Sequence, residues 1–172
     1  KFDLPENDDE HLRLVFGFLE RGDLAGYMAM VSADKYFRNK TLSGALKEMV
    51  DLKPHVNTLR KTGIRMASEL LQAGATPEGR ADLAARTGIP KAVLLRMVHC
   101  CDLCRMTGMA GKTLMRAVAM GYDTLDAFRA ATPEQAQSDF HTYLQATGER
   151  TNRMISFPHF IDQARRLPQL VA

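Results

Sequence analysis

Thr62-Gly63-Ile64-Arg65-Met66-Ala67-Ser68-Glu69-Leu70-Leu71 and Met120-Gly121-Tyr122-Asp123-Thr124-Leu125-Asp126-Ala127-Phe128 are two versions of one phrase. Each is followed by the same triplet, Thr76-Pro77-Glu78 after the first and Thr132-Pro133-Glu134 after the second. The glycines lie 58 residues apart and the triplets 56, so only a small deletion separates the copies. Self-similarity at such a period marks a chain built from repeated supersecondary units. Thr76 and Thr132 each suit a helix N-cap, and the proline that follows suits the first helical position, where a missing N–H does no harm. Gln135, three residues after Thr132, completes a capping-box pattern. Gly63, Gly74, Gly88 and Gly121 each follow an apolar-periodic stretch, where a left-handed C-cap favours glycine. The reading is a series of helices of about ten residues joined by tight turns.

Outward from this pair, the helical period continues and strand signals are almost missing. Leu12, Val15, Phe16 and Leu19 form one stripe after the helix start Asn7-Asp8-Asp9-Glu10. Leu24, Tyr27, Met28 and Val31 form a second; Leu42, Leu46, Met49 and Val50 form a third, ending before Pro54. The expected fold is all-α, with seven to ten helices. A helical region over 1–50 packs on a tandem helix-hairpin-helix body over 51–140, and a C-terminal capping helix lies within 141–172.

Composition narrows the function classes. A hydrophobic fraction of 45% and a charged fraction of 25% describe a globular chain rather than a disordered one. The longest apolar run, Leu14 to Leu19, is far too short to span a bilayer. No charged-then-apolar signal pattern opens the chain, although the missing initiator methionine points to a leader ahead of Lys1. The three cysteines all fall within Cys100 to Cys104, which gives no disulfide framework and fits a reducing cytoplasm. The net charge of +3 is uneven: residues 1–30 hold seven acidic and three basic side chains, and the body beyond them is mildly basic.

Between the two copies runs Leu103-Cys104-Arg105-Met106-Thr107-Gly108-Met109-Ala110-Gly111-Lys112-Thr113-Leu114. One helix is expected to end at Met106 and the next to start near Ala110, with the apolar Met109 pinning the two together. Such a turn presents backbone N–H groups at a helix N-terminus, where the dipole favours an anion such as a nucleic-acid phosphate. The candidate contact set is Gly108, Met109, Ala110, Gly111 and Lys112, assisted by Arg105 and Arg116. The alternative is a turn used only for packing.

With Gly63-Ile64, Glu69-Leu70-Leu71, Ala75 to Arg80, Thr87-Gly88-Ile89, Asp102-Leu103 and Gly121 to Leu125 in this order, the chain resembles a bacterial and archaeal domain-of-unknown-function family. That family is made of two helix-hairpin-helix repeats, and the likeness covers roughly residues 50–130. The resemblance implies an all-helical fold and a link to nucleic acid, with no catalytic residue to carry over. This chain departs from the pattern in having Ala110 for the second hairpin glycine. Its first hairpin, expected at Val50-Asp51-Leu52-Lys53, has no glycine and puts Asp51 where a phosphate would sit.

The remaining clusters have structural readings beside their chemical ones. His99-Cys100-Cys101-Asp102-Leu103-Cys104 invites a metal, but zinc sites draw their ligands from paired loops, and buried thiols are ordinary core residues. Lys35, Arg38, Lys40 and Lys47, with Tyr36 and Phe37 between them, are either a solvated face or an extension of a phosphate-contacting surface. Arg150 to Arg153 and the helix ending at Arg166 read as a cap over the repeats. No phosphate loop, His-Glu-x-x-His pattern or activated nucleophile is present. The expectation is a non-enzyme without cofactor or metal that contacts nucleic-acid backbone, the alternative being a protein–protein scaffold with a degenerate hairpin.

Overall fold

The computed structural model describes residues 40–151 and 155–172, together with Gly17, Arg21 and Asp23. The stripes within 12–31, the patch residues Lys35 to Arg38, and Arg153 lie outside these. Among the described residues the order is α1 (Leu42–Ala45), a 3-10 turn (Val50–Leu52), α2 (Lys53–Lys61), α3 (Ala67–Gly74), α4 (Pro77–Thr87) and α5 (Lys91–Leu103). After them come α6 (Lys112–Ala119), α7 (Leu125–Ala130), α8 (Pro133–Thr147) and α9 (Phe157–Arg166). These residues contain no strand, only an isolated antiparallel bridge between Thr41 and Met66. The fold is all-α.

Local chemistry sets most of these boundaries. Thr76 Oγ1 accepts from Gly79 N at 3.1 Å and Thr132 Oγ1 from Gln135 N at 3.2 Å, each capping a helix that opens with proline. The reciprocal half of the second box is replaced, because Gln135 Nε2 donates to Asp139 instead. Three corresponding hydrogen bonds close α2 and α6. In α2 the N–H groups of Thr62, Gly63 and Ile64 reach Leu59, Arg60 and Leu59; in α6 those of Met120, Gly121 and Tyr122 reach Ala117, Val118 and Ala117. Gly63 and Gly121 take φ of 96° and 90° to do so. Both are the helix-ending glycines expected from sequence.

Gly74 is not. It is the last residue of α3 and has no positive φ. A Cβ there would come within 2.5 Å of Val98 Cγ2, so the glycine serves the close approach of α3 to α5. The third stripe is corrected as well. Leu42, Leu46 and Met49 are buried, but α1 stops at Ala45 and the following 3-10 turn swings Val50 outward, leaving it 70% exposed, while Leu52 goes in.

α3, α4 and α5 pack on one another, α7 and α8 pack on α9, and α5 meets α7. α5 therefore joins the two groups, with Leu94, Met97, Val98, Cys100, Cys101 and Leu103 in one continuous core. A short extended tail after α9 ties them a second time. Arg129 donates to Leu167 O at 2.6 Å, Arg105 to Pro168 O at 2.7 Å and the buried Arg80 to Ala172 O. The boundary expected at 140/141 falls inside α8, which runs on because nothing interrupts it before Gly148.

Candidate functional site

The turn between α5 and α6 differs from its expected form at both ends. α5 stops at Leu103, because the N–H groups of Arg105 and Met106 reach back three residues, to Asp102 at 3.1 Å and Leu103 at 3.0 Å. α6 starts at Lys112, because Gly111 takes φ 55° and ψ −126°, which no helix and few side chains tolerate. Met109 is fully buried and is the apolar pin.

Several polar groups of the turn are already taken. Met109 N donates to Met106 O at 3.1 Å, Gly111 N to Ala45 O at 3.1 Å, and Thr107 N to Gln163 Oε1 at 2.8 Å. Lys40 Nζ donates to Cys104 O and Met109 O, both at 2.9 Å. The stem of Lys47 lies against Gly111, where an added Cβ would come within 2.8 Å of its Cε. The segment around α1 thus braces the turn. At the start of α6, by contrast, no side chain caps the backbone and no acidic residue sits in the first turn. N–H groups at such an end have no carbonyl within their own helix.

This end opens on a cleft of about 590 Å3. Thr107, Gly108, Lys112 and Thr113 line it from the turn and α6; Glu149, Arg150 and Thr151 line it after α8; Ser156, just before α9, and His159 and Phe160 of α9 complete it. Gly108, φ 87°, faces the Phe160 ring, and Ala110 is half-buried. Of the assisting cations, only Lys112 is an exposed charge on the cleft. Arg105 does not line the cleft. It is 4% exposed, 2.6 Å from the buried Asp102 carboxylate, and points into the core. Burial raises the pKa of Asp102, and the Arg105 charge opposes that rise.

Arg116 lines the cleft but is 7% exposed and already engaged. Its Nη2 lies 2.5 Å from Glu149 Oε1 and its Nε 3.3 Å from Glu149 Oε2, while Tyr143 Oη donates to the same Oε2 at 3.1 Å. These hydrogen bonds, Arg116's first, hold the Glu149 carboxyl below its usual range. The sequence reading missed Glu149, Arg150, Thr151, Ser156 and His159. Their approach to α6 depends on the path of α8 and α9, and no local spacing signals it.

Cys100, Cys101 and Cys104 are all buried. Desolvation raises Cys100 to about 12, Cys104 to about 11 and Cys101 well above the ordinary thiol value. Such thiols are poor nucleophiles and poor ligands. Among the described residues no group of three or more His, Cys, Asp and Glu side chains is placed to hold a metal ion. No helix among them is long and apolar enough to cross a membrane.

Residues 52–167 of the chain match the model of a family described as a domain of unknown function, DUF4332. The chain belongs to the DUF4332 family. The DUF4332 match runs from Leu52, the last residue of the first turn, through α9. No curated protein and no solved structure matches the chain.

Proposed function

We propose that this DUF4332 protein is a non-catalytic helix-hairpin-helix protein that holds nucleic-acid backbone at the start of α6, without reading bases. The single observation that carries the reading is the uncapped start of α6, free of acidic residues in its first turn and opening on a cleft with Lys112 and Arg150. Backbone amides and a cation at a helix N-terminus are the chemistry that grips a phosphate oxygen. The matched hydrogen bonds at Gly63 and Gly121 and the paired Thr-Pro caps support two helix-hairpin-helix units, of which the second binds. Buried, unreactive thiols fit a cytoplasmic setting.

Binding is expected to be micromolar, sequence-independent and steeply salt-dependent. Anisotropy titration of a labelled duplex at low salt tests it. Lys112→Gln should weaken binding and flatten the slope of log K against log salt by about 0.9, whereas Lys53→Gln at the first turn should leave both unchanged. No binding at low salt would end the reading.

One observation favours a second reading, a protein–protein scaffold with a degenerate hairpin: Gly111 N, Arg105 and Arg116 are all engaged within the chain. A pull-down from lysate with and without nuclease separates the two, because only a nucleic-acid partner is lost on digestion.

A further inference from the structure

Arg116 rises from the second turn of α6 with its guanidinium at the cleft and its stem in the core. A guanidinium held this far from solvent needs acceptors for its N–H groups, and its fork fits a carboxylate and a phosphate equally well. Here the anion is Glu149, gripped at 2.5 and 3.3 Å by Arg116 and at 3.1 Å by the Tyr143 hydroxyl. The two sides of this contact are unequally fixed. Arg116 is held by a helix and by burial. Glu149 follows Gly148, a left-handed residue that ends α8, and its N–H donates to Thr147 Oγ1 at a long 3.3 Å. Its side chain is 25% exposed against 9% for Arg116.

We propose that Arg116 and Tyr143 form an oxyanion seat that Glu149 fills in the unliganded chain, and that a backbone phosphate of nucleic acid takes the seat by displacing Glu149. The inference rests on the nucleic-acid reading above. Glu149 is then an internal stand-in for the ligand, and it sets the affinity of the cleft by competing for Arg116. Turning the carboxylate out into solvent leaves the Arg116 fork unfilled in a cleft that Lys112 and Arg150 also line, and the incoming phosphate fills it again.

The test is anisotropy of a labelled duplex with wild type, Glu149→Gln, Arg116→Met and the double variant, each checked for cooperative melting. Asp162→Asn serves as a control. Asp162 is exposed, pairs with Arg166 and does not line the cleft, so its loss changes net charge by the same amount. Glu149→Gln should bind about two- to five-fold more tightly, and its salt slope should steepen by about 0.9, because no freed carboxylate then offsets the phosphate that Arg116 neutralises. Arg116→Met should change wild-type affinity little yet remove the whole gain in the Glu149→Gln background. Arg116→Lys, which keeps the charge but loses the fork, should remove part of that gain and covers the case in which Arg116→Met unfolds. A gain equal to that of Asp162→Asn, or an equal cost of Arg116→Met in both backgrounds, overturns the seat and leaves the nucleic-acid reading standing. No binding by wild type or by Glu149→Gln overturns both.

Discussion

The turn that leads into α2 and the turn that leads into α6 take the same steps and finish differently. In the first, Met49 N bonds Leu46 O and Leu52 N bonds Met49 O, both at 3.0 Å; in the second, Met106 N bonds Leu103 O at 3.0 Å and Met109 N bonds Met106 O at 3.1 Å. Leu52 and Met109, the last donors in these two patterns, are both buried. From there the first turn runs straight into α2 through Lys53 in helical geometry, and its exposed Asp51 pairs with Arg96 of α5. The second needs Gly108 and Gly111 at positive φ and leaves a cleft. The far ends diverge in the same sense. After the left-handed Gly88 comes Ile89, buried, with the buried Leu83 five residues before that glycine. After the left-handed Gly148 comes Glu149, with Tyr143 five residues before. One region is closed with apolar side chains and the other with an ion pair and a hydroxyl. An apolar closure has nothing to exchange with a solute, whereas an ionic one exchanges whenever a better anion arrives.

The largest test of this contrast lies beneath the turns. Ala45 precedes Leu46 and Asp102 precedes Leu103, and both are buried. Asp102→Ala copies the first turn's solution into the second, but strands the buried Arg105 charge. A loss of about 3–5 kcal/mol of unfolding free energy is expected by urea denaturation. Asp102→Ala with Arg105→Met should recover much of that loss, since a buried pair replaced by apolar groups is often close to neutral. If Asp102→Ala alone costs under about 1 kcal/mol, the pair does not secure the second turn.

A smaller effect separates the residues that lead into the two helices. Gly111, at φ 55° and ψ −126°, should lose about 1–3 kcal/mol as Gly111→Ala, because an alanine is strained there whatever space it finds. Its Cβ would also displace the stem of Lys47. Lys53, at φ −53° and ψ −44°, already has helical geometry, so Lys53→Ala should stay within about 0.5 kcal/mol. Equal melting shifts for the two variants would erase the distinction drawn between the turns.

These residues also show why the sequence spoke clearly in some places and not in others. Thr76, Thr132, Gly63 and Gly121 were legible because a cap is decided within four residues of chain. Gly74 was misread because what fixes it is Val98 of another helix, and the same spacing serves a cap or a close approach. Arg105 had its partner three residues away at Asp102, within reach of an i, i+3 reading, yet the burial that turns the pair inward is a tertiary fact. Arg116 had no such clue, since Glu149 is 33 residues on and is brought to it by the path of the chain after α8. A glycine-containing turn between two helices could be quoted from the chain. The cleft in front of it could not, because half its wall comes from segments without a motif.

The smallest expected effect concerns pH, and it belongs to one region only, because Ile89 has nothing to titrate where Glu149 does. The Arg116 and Tyr143 hydrogen bonds lower the folded pKa of Glu149 below its ordinary 4.5. Its stabilisation is therefore complete above that ordinary value and is lost as pH falls through the lowered one. Asp102 acts in the opposite sense. Its raised folded value means that its contribution falls as pH rises through that value, but it is common to wild type and Glu149→Gln and cancels in their difference. Melting temperatures of the two proteins should thus differ most near neutrality, with wild type higher, and converge as the pH drops below about 4.5. Parallel curves down to acid pH would mean that the Arg116 contact contributes no stability. Convergence, set beside tighter nucleic-acid binding by the same substitution, would show stability and affinity moving in opposite directions at one residue. A carboxylate that only propped up the fold would move them together.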